Sequence, residues 1–307
     1  AFRALRGLWP EARITLVGLP WAEAFVQRFP AYVDDFVAFP GHPGLPEGTS
    51  PAQYAELERA MRERRPDIAV QLHGSGVVSN SIVATFGARS VAGFVPAGTH
   101  VPATSPFLLY PDSGLEVERL LALAKHLGAT ELRADLEFPI EPAERAAAAA
   151  LVPAGRAYAV VHPGASTAEK RWSAVGFARI ADALSARSLA VILTGSEAER
   201  ELTAALAAGM NGPAIDAAGR TSLGELAALV AGAEVLVCND TGVSHVADAT
   251  RTPSVVVYLD SDPERWAPAD KRLHRVIGLR QRRDGAAETV LTEVGALLEG
   301  QVPHAVA

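Results

Sequence analysis

Short apolar segments and amphipathic segments alternate along almost the whole chain of 307 residues. The apolar segments, such as Ala157–His162 and Ser254–Leu259, are bounded by Gly, Pro or Asp, which is typical of buried strands. The amphipathic segments between them have the length of ordinary helices. Strands that alternate with helices in this way indicate βαβ units with right-handed crossovers. The sequence therefore predicts an α/β protein with doubly wound parallel sheets.

The alternation is interrupted once, between Leu136 and Gly155, where three prolines surround an alanine-rich segment that favours helix. A chain of this length commonly forms two domains. We therefore expect two Rossmann-like domains, at residues 1–140 and 141–307. The first is incomplete at its start, because residues 1–10 look like the body of a helix without an N-cap. A parallel sheet without a central strand leaves its neighbours unpaired, so we expect a preceding segment in the natural protein.

Composition limits the classes of function. No apolar run approaches the roughly 20 residues that span a bilayer. The net charge of -7 argues against a general nucleic-acid partner, which requires a basic face. Cys238 is the single cysteine, so an internal disulfide framework and a cysteine-based zinc site are excluded, and a reducing compartment fits.

Ligands of doubly wound sheets bind beyond the carboxyl ends of the strands, so a ligand site is expected in the segments that follow the strands of the second half. After its first strand, the run His162–Thr167 contains Gly164, Ser166 and Thr167, and Lys170–Arg171 follow. Small residues let backbone N–H groups approach an anion, and hydroxyls add donors. The interpretation is a diphosphate site; the alternative is a solvated charge run at the start of a helix.

The fourth strand of this half ends in Asp240, Thr241 and Gly242, and a helix starts at once. The free N–H groups and the positive dipole at such a helix end favour an anion. The alternative is that Asp240 or Thr241 is simply an N-cap. His245 falls in the first turn, near the face that points toward a ligand, and its pairing with Asp-Thr-Gly favours a binding role.

Two further loops carry acidic residues. After the second strand, Gly195 gives a tight turn, and Glu197 or Glu199 can accept hydrogen bonds from ribose hydroxyls; both also suit a helix N-terminus. Asp260 and Asp262 have the Asp-x-Asp spacing of a Mg²⁺ or Mn²⁺ site. A single loop pair is a weak motif and a lysine can neutralise a diphosphate, so we predict no metal. No Gly-x-Gly-x-x-Gly follows an early strand, which disfavours a dehydrogenase.

Taken together, these sequence motifs resemble those of glycosyltransferase family 9, which includes the ADP-heptose:lipopolysaccharide heptosyltransferases. His-Pro-Gly-Ala-Ser, Lys-Arg-Trp, Thr-Gly-Ser-Glu and Asn-Asp-Thr-Gly-Val-Ser-His follow in this order within Val160–Pro268. The resemblance implies an inverting GT-B enzyme, with two Rossmann-like domains facing a cleft, that needs neither metal nor cofactor. It implies a nucleotide-sugar donor such as ADP-heptose and a glycan or glycolipid acceptor. It also implies a cytoplasmic location, with peripheral association at the inner face of the inner membrane as an option.

The resemblance also assigns roles. Lys170 matches the lysine expected on the donor diphosphate, and Asp240, Thr241 and Gly242 match the segment that holds sugar and phosphates, with His245 in the same block. Lys170 and Asp240 are the catalytic candidates, and Glu197 or Glu199 matches the acidic position at the ribose.

The family opens with a strand and a Gly-Asp loop whose aspartate is the candidate general base. That loop is expected upstream of Ala1 and is not in this chain. Two alternatives stay open: a GT-B-fold sugar-nucleotide epimerase and an inactive nucleotide-sugar-binding protein.

Overall fold

The computed structural model describes residues 1–42, 50–279 and 286–300; residues 43–49, 280–285 and 301–307 lie outside the description. The chain divides into two compact units, Ala1–Ala134 and Asp135–Ala307. The predicted domain ranges, 1–140 on the acceptor side and 141–307 on the donor side, stay a prediction.

Unit 1 alternates strands with helices, as the sequence predicts. Its elements are α1 (Phe2–Leu8), β1 (Thr15–Gly18), α2 (Glu23–Arg28), β2 (Asp35–Ala38), α3 (Pro51–Arg64), β3 (Ile68–Val70), α4 (Ser79–Ala84), β4 (Ser90–Val95), β5 (Phe107–Leu109) and α5 (Glu116–His126). All paired strands are parallel, and among the described residues they form two separate ladders, β1–β2 and β3–β4–β5. Leu57 and Met61 of α3 pack with Ile82 of α4 and with Phe86, which follows α4, and Val17 of β1 lies beside them.

Unit 2 continues the alternation around one sheet. Its elements are α6 (Pro142–Ala149), β6 (Tyr158–His162), α7 (Ala174–Ala186), β7 (Ala190–Leu193), α8 (Arg200–Ala208), β8 (Ala214–Asp216), α9 (Leu223–Ala231), β9 (Val235–Asn239), α10 (Gly242–Thr250), β10 (Ser254–Tyr258), α11 (Pro263–Trp266), β11 (His274–Gly278) and α12 (Ala286–Glu299). The strands are parallel in the order β11-β10-β9-β6-β7-β8.

The central strands β6, β9 and β10 are buried along their whole length because helices cover both faces of the sheet. Helix α7 contributes Phe177, Ile180 and Leu184 to the main core cluster. Strand β6 lies between β7 and β9, so the strand order reverses there. A reversal of this kind leaves a crevice beyond the carboxyl ends of the two inner strands, where ligands of such sheets bind.

Four elements of the structure are absent from the sequence prediction; one is the short helix α11, which lies in the segment after β10 that was predicted as a loop. Strand β5 has three residues, too few for a visible pattern, and β11 carries His274 and Arg275 among its apolar residues. Helix α12 was not predicted either, although it packs against β9, β10 and β11. In residues 1–42, 50–279 and 286–300, no helix combines the length and the apolar character that crossing a membrane requires.

Candidate functional site

The site lies at the carboxyl ends of β6 and β9, which are joined by the side chain of Asn239. Its Nδ2 donates hydrogen bonds to the carbonyl oxygens of Pro163, at 2.7 Å, and Gly164, at 3.3 Å. Its Oδ1 accepts a hydrogen bond from the backbone N–H of Trp172 at 3.0 Å. The loop after β6 is therefore tied to the turn that follows β9.

Lys170 and Asp240 meet in the same place. Lys170 Nζ lies 3.7 Å from Asp240 Oδ2, and the lysine side chain is 31% exposed while the aspartate side chain is 8% exposed. The loop after β6 and the turn after β9, which the sequence predicts to form one pocket, thus come together in space. Their role in donor binding stays a prediction.

The two adjacent cations of the loop have different environments. The Arg171 Nε and Nη2 atoms both donate to the carbonyl oxygen of Ala165, at 3.0 and 2.9 Å. Arg171 therefore closes the loop from Ala165 to its own position, and Lys170 is the cation that reaches the buried carboxylate. Ser166 and Thr167 are exposed within this closed loop.

Helix α10 begins at Gly242 directly beyond Asp240, and no side chain caps it. The alternative interpretation, in which Asp240 or Thr241 is a side-chain N-cap, does not agree with this geometry. Gly242 is exposed, and a Cβ built on it would meet no atom within 4 Å. The first N–H groups of a helix have no partner within the helix, so this end offers donors to an anion.

His245 lies in the first turn of α10 and is half-buried. Burial lowers its pKa below the ordinary 6.5, although the carboxylates of Asp240 and Asp248 act in the opposite direction. Its imidazole is therefore neutral at pH 7 and can both donate and accept a hydrogen bond.

Glu197 and Glu199, which the sequence left as alternatives, differ in the structure. Glu197 is exposed and pairs with Arg200 at 2.8 Å. Glu199 Oε2 accepts from the N–H and the hydroxyl of Ser196, at 2.8 and 2.9 Å. Its Oε1 points to Gly164, where a Cβ would approach it to 2.3 Å. Glu199 is therefore the acidic residue beside the loop that follows β6, with Gly195 packed beneath it.

The competing metal motif has another explanation. Asp262 Oδ1 accepts a hydrogen bond from the N–H of Glu264 at 3.0 Å and caps α11. Within the described ranges no three His, Cys, Asp or Glu side chains are grouped as metal ligands.

His162 is the buried histidine beneath the loop, and its Nδ1 lies 3.0 Å from Thr194 Oγ1. Burial lowers its pKa to about 4, against the attraction of the Glu199 carboxylate. The unfolded chain takes up this proton near pH 6.5 and the folded chain only near pH 4. Stability therefore falls as the pH drops between these values, by about 3 kcal/mol in all.

We expect the free energy of urea unfolding, measured from pH 7 to pH 4.5, to show this loss. His162→Asn, which cannot take up the proton, should flatten the curve. The exposed His73→Asn is the control and should keep the slope. An unchanged slope in His162→Asn would contradict the assignment.

Three contributors to the site were not predicted as site residues. Asn239, His162 and Trp172 lie within the sequence motifs, but the motifs alone give none of the three a role. Trp172 is buried, and its ring packs edge-on against Phe177 at 5.0 Å. Asn239 could have been found from its position, because it is a polar residue at the end of an apolar strand. A buried amide at such a position usually has hydrogen-bond partners within the protein.

Solved structures share this fold. A glycosyltransferase family 9 protein from Veillonella parvula has a TM-score of 0.79 at 19% identity, covering 98% of this chain and 92% of its own. The structure of E. coli ADP-heptose LPS heptosyltransferase II has a TM-score of 0.74 at 24% identity, covering 97% and 93%. The fold is that of the GT-B glycosyltransferases, and the predicted fold class is confirmed.

The sequence comparisons give the family. Lipopolysaccharide heptosyltransferase 2 of Escherichia coli K12 is 28% identical over 337 residues, covering 97% of this chain and 93% of the relative. The family model described as glycosyltransferase family 9 (heptosyltransferase) matches residues 54–293. The chain belongs to glycosyltransferase family 9 and is a glycosyltransferase, as the resemblance implied.

Proposed function

We propose that this enzyme transfers a heptose from ADP-heptose to a glycan or glycolipid acceptor of the lipopolysaccharide type. The names of the relatives support the donor and acceptor classes. The observation that carries the proposal is the convergence of Lys170, the loop after β6 and the uncapped end of α10. A lysine, a closed loop of small residues and a helix N-terminus together suit a diphosphate.

The proposed reaction is a displacement with inversion at the anomeric carbon. An acceptor hydroxyl oxygen forms a bond to this carbon, and the bond to the diphosphate oxygen breaks, with its electron pair leaving on ADP. The hydroxyl proton passes to a general base. The leaving diphosphate gains negative charge in the transition state, where Lys170 and the N–H groups stabilise it.

Other site residues orient the donor in this proposal. Glu199 Oε1 accepts from the ribose hydroxyls, since Oε2 already accepts from Ser196. Asp240 holds Lys170 from its buried position, and neutral His245 hydrogen-bonds to the sugar or phosphate.

No metal is required, because Lys170 and the helix end supply positive potential. The proposed location is the cytoplasm, with the inner face of the inner membrane included; the free buried thiol of Cys238 suits a reducing compartment.

The test measures ADP release from ADP-heptose by the enzyme, with and without a deacylated lipopolysaccharide core acceptor. We expect release that depends on the acceptor, persists in EDTA and yields an inverted linkage by NMR. Turnover of the sugar nucleotide without acceptor would favour the epimerase. Binding without turnover would favour the inactive binding protein. Loss of activity in EDTA with recovery in Mn²⁺ would overturn the metal-free mechanism.

A further inference from the structure

Asn239 is fully buried at the end of β9 and directly precedes Asp240. Its amide uses both ends: Nδ2 donates to the carbonyls of Pro163 and Gly164, and Oδ1 accepts from the N–H of Trp172. A buried amide in water-excluded surroundings fixes its partners strongly, because leaving any of them unpaired is costly.

These contacts determine where the neighbouring N–H groups point. In a trans peptide the carbonyl of one residue and the N–H of the next point in opposite directions, and the chain has no cis peptide bond among the described residues. Because the carbonyls of Pro163 and Gly164 face the buried Asn239, the N–H groups of Gly164 and Ala165 face away from it.

Arg171 extends this arrangement by one peptide. Its guanidinium holds the carbonyl of Ala165 with two hydrogen bonds, so the N–H of Ser166 is turned away from that guanidinium. In the part of the chain that the structure describes, none of the N–H groups of Gly164, Ala165 and Ser166 donates a hydrogen bond. Such consecutive N–H groups are hydrogen-bond donors for an anion.

We infer that Asn239 is a positioning residue, assisted by Arg171, that orients the N–H groups of Gly164, Ala165 and Ser166 toward a nucleoside diphosphate. This inference rests on the proposed function. It explains which backbone groups bind the donor diphosphate and what holds them in place. Asn239 touches no ligand itself; it acts through the carbonyls that it holds. Arg171 acts by its forked geometry and not by its charge alone.

The experiment compares Asn239→Asp and Arg171→Lys with the wild type. Asn239→Asp keeps an acceptor for Trp172 but loses the two donations, and Arg171→Lys keeps the charge but loses the paired hydrogen bonds. Tyr158→Phe is the matched control, since it removes a buried hydrogen bond to the carbonyl of Leu229 at the opposite end of β6. Binding of ADP and of inorganic pyrophosphate is measured by calorimetry, with a thermal melt of each variant.

We expect both site variants to raise the Kd for pyrophosphate and ADP by about 10-fold to 100-fold, as lost charge-assisted hydrogen bonds do. The KM for the donor should rise while the KM for the acceptor stays unchanged, and Tyr158→Phe should lower the melting temperature without changing either Kd. If Asn239→Asp does not fold, the Kd values of Arg171→Lys decide whether the inference holds. Wild-type affinity for pyrophosphate and ADP in a folded site variant would overturn this inference and leave the proposed function standing. Absence of ADP binding by the wild type would overturn the proposed function as well.

Discussion

Lys170→Ala is expected to lower kcat about 100-fold to 1,000-fold, the usual loss when one electrostatic contact to a developing negative charge is removed. Lys170 is the cation that reaches buried Asp240, while Arg171 is held by the carbonyl of Ala165. The loss should therefore not be compensated by the neighbouring arginine. Steady-state ADP release at saturating donor measures the effect.

Two comparisons separate this catalytic loss from a loss of folding. Lys170→Ala leaves Asp240, whose side chain is only 8% exposed, without this cation, so a thermal melt of the variant must show that it is still folded at the assay temperature. Lys271→Ala is the matched control, since the Lys271 ammonium donates to the carbonyl of Pro268 in its own loop, and it should keep wild-type turnover. A Lys170→Ala enzyme with full turnover would remove Lys170 from the mechanism.

Phe177→Ala is expected to destabilise unit 2 by about 3–5 kcal/mol, because it leaves a cavity in a fully buried position. Phe177 packs against the ring of Trp172, whose backbone N–H is bound to Asn239. The cavity therefore lies directly beneath the loop that carries Lys170, and the donor KM should rise together with the loss of stability. Urea unfolding followed by circular dichroism gives the free energy.

Val175→Ala is the control on the same helix. Val175 is 72% exposed, so its truncation should change stability by about 0.5 kcal/mol or less. If Phe177→Ala unfolds at the same urea concentration as Val175→Ala, the packing of α7 against the sheet is not what supports the site.

The fold was predictable where the chain repeats a strong pattern. The strands from β6 to β10 are short, mainly apolar runs that end in Gly, Pro, Asp or Asn or are followed by one of them within two residues, and each was recognised within a residue or two. Strand β11 was not predicted because His274 and Arg275 interrupt its apolar run. His274 is nevertheless buried against Ser254 in spite of its polarity.

The site was predictable as a set of segments but not as a set of contacts. Asp-Thr-Gly before a helix favours an anion site but leaves a simple N-cap as the alternative, and the resemblance to the family depended on the order of several motifs. The sequence does not tell which of Lys170 and Arg171 turns inward, because adjacent side chains differ only in direction. The same holds for Glu197 and Glu199, which the hydrogen bonds of Ser196 distinguish. Recognising Asn239 as a contributor to the site requires knowing that β6 and β9 are paired, and the sequence alone does not show this pairing.

The contact between Asn239 and Pro163 joins residues 76 positions apart in the chain. During synthesis at about 5–20 residues per second, the loop after β6 therefore exists for several seconds before its anchoring amide is made. Nucleotide in the cell can stabilise only the completed unit, because a ligand acts on the state that binds it. The nascent chain must consequently reach β9 without help from its own substrate.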